Sequence, residues 1–105
     1  MPNITKSPQA FVDLDELAAH IQKDNPDAAR RFLLSAEWTF NLLAAMPQMG
    51  KEYKHPRHDN LRVWYVRRPF RNYKIFYQAV EDGILVVRVL HSARDIPTQL
   101  GTSED

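Results

Sequence analysis

Arg88-Val-Leu-His91-Ser-Ala-Arg94-Asp95 places one imidazole, two guanidinium groups and a carboxylate within eight residues. With Arg62 and Lys74, His91 has the types that acid–base cleavage of RNA needs. These are a base for the 2′-hydroxyl proton, an acid for the leaving oxygen and cations for the charged phosphorane. Tyr73 and Tyr77 would add stacking surfaces for bases. The same stretch also has a structural reading, in which His91 and Arg94 bond loop carbonyls and Asp95 and tie down the end of a sheet. Strand alternation favours the structural reading. It gives His91 the parity of Val87 and Val89 and sends Arg88 to the other face. The groups can meet at one phosphate only if the strand ends or bulges before His91.

His55-Pro56-Arg57-His58-Asp59 is a second candidate, with two imidazoles and a carboxylate. Proline in a loop breaks the helical spacing that histidine ligands use, so a solvated polar loop is the simpler expectation. The chain has no cysteine, which excludes disulfides and thiolate metal sites. It also has no glycine-rich phosphate loop, no Ser-His-Asp order and no paired carboxylates. Neither metal nor cofactor is expected.

Charge is the third signal. The net charge is only +1, but residues 51–74 carry eight basic groups against Glu52 and Asp59. Lys51, Lys54, Arg57, Arg67, Arg68 and Arg71 lie in this stretch, between acidic flanks. A basic middle is a candidate surface for nucleic acid or an acidic protein segment.

The elements that must position these groups follow from the hydrophobic pattern. Ile4 and Thr5 suggest a short strand. Ser7-Pro8 reads as the cap and first residue of a helix with an apolar stripe at Phe11, Leu14, Leu17, Ala18 and Ile21. Asp13, Asp15 and Glu16 would complement its dipole. Asn25-Pro26 opens a second helix, running to about Met46, with its main stripe on Ala29, Phe32, Leu33, Ala36, Phe40, Leu43 and Ala44. A second stripe, Leu34, Trp38, Leu42 and Ala45, is displaced around the cylinder. It belongs either in the core beside the first helix, the simpler expectation, or under a partner.

After a loop over residues 47–60 the period changes to two. Strands are predicted over Leu61–Arg67, Tyr73–Val80 and Ile84–Leu90, with a hairpin at Glu81-Asp82-Gly83 whose glycine would supply a positive φ. The expected fold is α+β: an N-terminal strand and a helical hairpin on a mainly antiparallel sheet, with the sheet's other face uncovered. Residues 1–100 form a single domain and 101–105 a frayed tail; Gln99 and Leu100 also read as polar, frayed chain. No apolar run is long enough for a membrane helix, and no secretory signal is present, so a cytoplasmic protein is the default.

The second half resembles a known family. Leu61-Arg62, Asn72–Tyr77 (NYKIFY) and Arg88–Ile96 (RVLHSARDI), in this order and spacing, are similar to the carboxy-terminal half of ParE toxins in the RelE/ParE superfamily. The helical hairpin and the LLAAMPQMG turn agree, so the likeness runs from about Ile4 to Leu100. It implies the toxin of a type II toxin–antitoxin pair, neutralised by a small antitoxin whose carboxy-terminal segment wraps it. It also gives the uncovered sheet face and the stripe of Leu34, Trp38 and Leu42 a use as antitoxin-binding surface.

ParE-branch members are associated with inhibition of DNA gyrase; RelE-branch relatives cleave mRNA on the ribosome. The latter also use basic and tyrosine residues beyond the last strand, and IPTQLGTSED contains none. The resemblance therefore implies a non-enzymatic gyrase inhibitor that forms an oligomer with its antitoxin, with the basic stretch as target surface. Arg88, His91, Arg94 and Asp95 then serve as a feature of the fold. The alternatives are an mRNA endonuclease using Arg62, Lys74 and His91, or an inactive remnant that only binds antitoxin.

Overall fold

Two proline-led helices form one layer. In the computed structural model, which describes residues 2–101, a first strand β1 (Asn3–Lys6) leads into α1 (Pro8–Asp24) and α2 (Pro26–Ala45). The caps are those the sequence predicts. Ser7 Oγ accepts the Ala10 amide at 3.0 Å, and Asn25 Oδ1 accepts that of Ala28 at 3.1 Å. Each satisfies one of the amides a helix start leaves unpaired. The stripe of α1 differs from expectation. Ala10, Asp13 and Leu14 are buried, whereas Phe11 is 55 % exposed, with the Lys6 ammonium over its ring.

The second layer is a five-stranded sheet. Beyond α2 come β2 (Lys51–Glu52), β3 (Leu61–Tyr65), β4 (Tyr73–Val80) and β5 (Gly83–His91), in the spatial order β1-β5-β4-β3-β2. Only the β1–β5 pair is parallel. The fold is α+β with a mainly antiparallel sheet, as expected; β2 is an addition within the predicted loop. Phe32, Ala36, Phe40 and Leu43 from α2 pack with Tyr73, Ile75 and Tyr77 of β4 and Ile84, Val86 and Val89 of β5. This is the main core, and burial of such side chains is worth about 1.5–3 kcal/mol each.

The outer face of the sheet is not bare. A short helix α3 (Ile96–Gly101) lays Ile96 and Leu100 over Leu61, Phe76, Val87 and Leu90 as a second apolar cluster. This corrects the expectation of an uncovered face and of a frayed tail from Gln99; residues 102–105 lie outside the described residues. The helix is held from outside. His55 Nε2 lies 2.9 Å from the Pro97 carbonyl, His58 Nε2 2.7 Å from that of Leu100, and Arg88 donates to that of Gln99. These include carbonyls at the end of α3, where a helix has no partners of its own. Thus the two histidines of the HPRHD segment serve packing. Among the described residues no cluster of potential ligands could hold a metal ion, and no helix is long and apolar enough to cross a membrane.

Two details of β5 depart from simple alternation. Phe76 pairs with Arg88 but Tyr77 with Val86, so Val87 is an extra residue, a β-bulge. Val86 and Val89 consequently face the main core, while Val87 and Leu90 face the outer cluster. His91 therefore shares a face with Val89 and not with Val87, which corrects the parity inferred from sequence. Gly83, in turn, has no positive φ. Its role is close approach: a Cβ there would sit 1.8 Å from the Asn3 carbonyl oxygen. Gly83→Ala is expected to push β1 off β5 and destabilise the domain by about 1–3 kcal/mol, read as a lower urea midpoint.

Candidate interaction surface

Three of the four ionisable residues in RVLHSARD are committed to the fold. Arg88 Nε and Nη2 bond the Asp13 carboxylate at 2.7 and 2.9 Å, and Asp13 also accepts the Val89 amide at 3.0 Å. Strand β1 pairs β5 only as far as Val86. The carboxylate from α1 thus replaces the missing strand at the β5 edge, and Arg88 joins α1, β5 and α3. His91 Nδ1 accepts the Ala93 amide at 3.0 Å, and its Nε2 lies 3.2 Å from the Asn72 side-chain amide nitrogen. The ring also meets Tyr73 edge-on at 5.1 Å. The Asp95 carbonyl accepts the Gln99 amide and its carboxylate accepts the Thr98 hydroxyl, opening α3. Arg94 differs. Its backbone amide bonds the His91 carbonyl, while its side chain is exposed and lines a cleft of about 620 Å³ with His20, Lys23 and His91.

The nuclease candidates are dispersed. Arg62, opposite Tyr77, faces the helix layer, where its guanidinium bonds the Gly50 carbonyl and Gln48. Lys74 is opposite Tyr65 and Leu90 on the outer face, with its ammonium 5.9 Å from the Tyr65 ring. His91 lies on the helix side opposite Tyr73, four β4 residues from Tyr77, or about 13 Å along the strand. Of the three, only His91 lines the cleft of about 620 Å³. Tyr77 is likewise committed. Its buried hydroxyl donates to Pro47 and accepts the Gly50 amide, and burial pushes its phenol above the ordinary value.

The basic stretch is divided between the two ends of β3. Lys51 is on the edge strand β2, and Lys54 and Arg57 follow in the loop that runs past α3. Arg67, Arg68 and Arg71 belong to the β3–β4 turn, which contains a cis Arg68–Pro69 peptide. All six are exposed. Arg71 stands over Tyr65 at 4.8 Å, and Arg67 lies on Trp38 at 3.9 Å from the ring centroid.

That last contact joins the turn to the second stripe of α2. Leu34 is 58 % and Trp38 48 % exposed, while Leu42 is half-buried. Core placement of this stripe, the simpler expectation from its spacing, is not what the helix adopts at Leu34 and Trp38. The turn is also anchored beneath the stack, where the Arg67 amide donates to Thr39 Oγ1 at 3.1 Å and that buried hydroxyl donates to the Ser35 carbonyl. Sequence reasoning did not pair Trp38 with Arg67, nor Asp13 with Arg88.

A strand and helical hairpin laid on a mixed, mainly antiparallel sheet make a small α+β domain, with an arginine-rich turn beside an exposed apolar ridge. The model of the family described as ParE toxin of type II toxin-antitoxin system, parDE, matches residues 4–96, and the chain belongs to that family. A solved structure described as the chromosomal ParDE TA system from P. aeruginosa is similar in fold, with a TM-score of 0.70 at 17% sequence identity. The match covers 87% of this chain and 96% of that one. No curated protein matches the chain at a significant level.

Proposed function

We propose that this ParE-family toxin acts in the cytoplasm by binding and inhibiting DNA gyrase, and that a cognate antitoxin neutralises it by covering the outer stripe of α2. The observation that carries the reading is the exposed arginine turn beside that stripe, set against nuclease candidates that lie apart on two faces of the sheet. Arg67, Arg68 and Arg71 are the principal target contacts, and Lys51, Lys54 and Arg57 extend the basic edge at the other end of β3. Leu34, Trp38 and Leu42 receive the antitoxin. Clustered arginines suit an anionic, DNA-associated surface, because they add both long-range attraction and bidentate contacts.

Incubating the purified chain with gyrase and relaxed plasmid tests the reading. Supercoiling is expected to be inhibited. Reversing charge with Arg68→Glu and Arg71→Glu together is expected to raise the half-inhibitory concentration at least about tenfold. Unchanged supercoiling, with mRNA cut in translating ribosomes, would instead favour the nuclease. Harmless expression without the antitoxin would indicate an inactive remnant.

A further inference from the structure

We infer that the cleft between the second half of α1 and the end of β5 is a phosphate-binding site, filled by the free anion or by the phosphate of a small nucleotide. The inference is independent of the proposed function, since none of its donors belongs to the proposed target or antitoxin surfaces. The volume, about 620 Å³, lies within the roughly 300–1,000 Å³ usual for small-molecule sites. Two elements bring cationic groups to it. His20 and Lys23 stand one turn apart near the end of α1, and Arg94 follows β5. Among the described residues no carboxylate pairs with Lys23 or Arg94, whereas Arg88 in the same wall is held by Asp13. With Asp13 neutralised in that way, Glu16 is the one remaining acid among the lining residues, against two permanent cations.

A buried hydroxyl points to a ligand independently of the charge. Tyr73 lines the cleft at 8 % exposure, with its ring set against Phe32 and Phe70. Its hydroxyl has no hydrogen-bond partner among the described residues, while that of Tyr77 on the same strand has two. A buried hydroxyl left unpaired costs free energy until a ligand or water supplies a partner. Burial also pushes the Tyr73 phenol above its ordinary value, which keeps it a donor at neutral pH. His91 forms part of the wall and not of the donor set, because both ring nitrogens already meet Ala93 and Asn72. A phosphate offers acceptors to the Arg94 fork, the Lys23 ammonium and the Tyr73 hydroxyl together. Leu17, Ala19, Leu90 and Ala93 supply apolar lining on which a nucleobase can lie.

Calorimetric titration of the whole chain with inorganic phosphate and, separately, with adenosine monophosphate tests the site. Saturable binding is expected, with the two ligands in competition. Equal affinities identify the free anion as the ligand, and tighter binding of the monophosphate identifies the nucleotide; either result upholds the site. Arg94→Ala and Lys23→Ala are each expected to weaken binding at least about tenfold, through loss of one charge-assisted contact. Tyr73→Phe is expected to weaken it about three- to tenfold while keeping or raising the thermal midpoint, because the hydroxyl has no protein partner to lose. Absence of binding by the parent chain would overturn the inference. So would adenosine binding as tightly as its monophosphate, or any of the three variants binding as tightly as the parent.

Discussion

Arg88→Ala is expected to destabilise this domain by about 3–5 kcal/mol, because it strands a buried carboxylate. Asp13 is only 5 % exposed and, among the described residues, would keep the Val89 amide as its one partner. At this size, each kcal/mol corresponds to roughly 4–8 °C in Tm, so the transition should fall by at least about 12 °C. The sign of the effect depends on removing one partner alone. Replacing both, Asp13→Leu with Arg88→Met, exchanges the ion pair for apolar contact of similar volume and should recover most of the loss. A thermal melt of the two single variants and the double variant measures the coupling directly. A double variant as unstable as the sum of the singles would show that the pair is not one unit.

Ending the chain after Asp95 should be about as damaging, for a different reason. The loss of α3 removes Ile96 and Leu100, each less than a tenth exposed, from over Leu61, Phe76, Val87 and Leu90. Two such side chains contribute about 3–6 kcal/mol together. The uncovered face would be a contiguous apolar patch, which favours association between copies. Lower solubility and bound hydrophobic dye in the shortened protein, against a clear dye blank for the full chain, are the expected signs. A shortened chain that stayed monomeric with an unchanged melting point would mean that α3 contributes nothing to the seal.

What could be read from the residues depended on how local the determinants were. Ser7-Pro8 and Asn25-Pro26 carry their cap chemistry within four residues, and both helices begin where expected. Strands β3 and β4 were legible for the same reason, as alternation over five and eight residues, and β5 as an apolar run behind a hairpin glycine. By contrast, α3 has six residues with a proline and a glycine at its ends. A segment so short is not helical by its own propensity, and the histidines that hold it are 42 positions away. The bulge at Val87 likewise left no periodic trace, since Val86 to Leu90 is apolar except at Arg88. Asp13 did leave a trace. It falls between Ala10 and Leu14 on the buried arc of α1, where an acid has no business unless it meets a cation. For the interaction surface, the outward stripe of α2 was visible as a periodicity, and the arginines as a charge run. Their union at Trp38 and Arg67 was not, because it depends on how a turn folds back on a helix 28 residues earlier.

The parallel pairing of β1 with β5 has a consequence for how such a poison comes into being. Strand β1 finds its neighbour only in β5; Ser7 Oγ, for instance, waits for a carbonyl 80 positions downstream. Nor can the Asp13 carboxylate meet its cation until 75 more residues have been synthesised. Folding that hinges on contacts this distant comes late and is comparatively slow. The nascent domain thus stays incomplete by its own topology until β5 has been made.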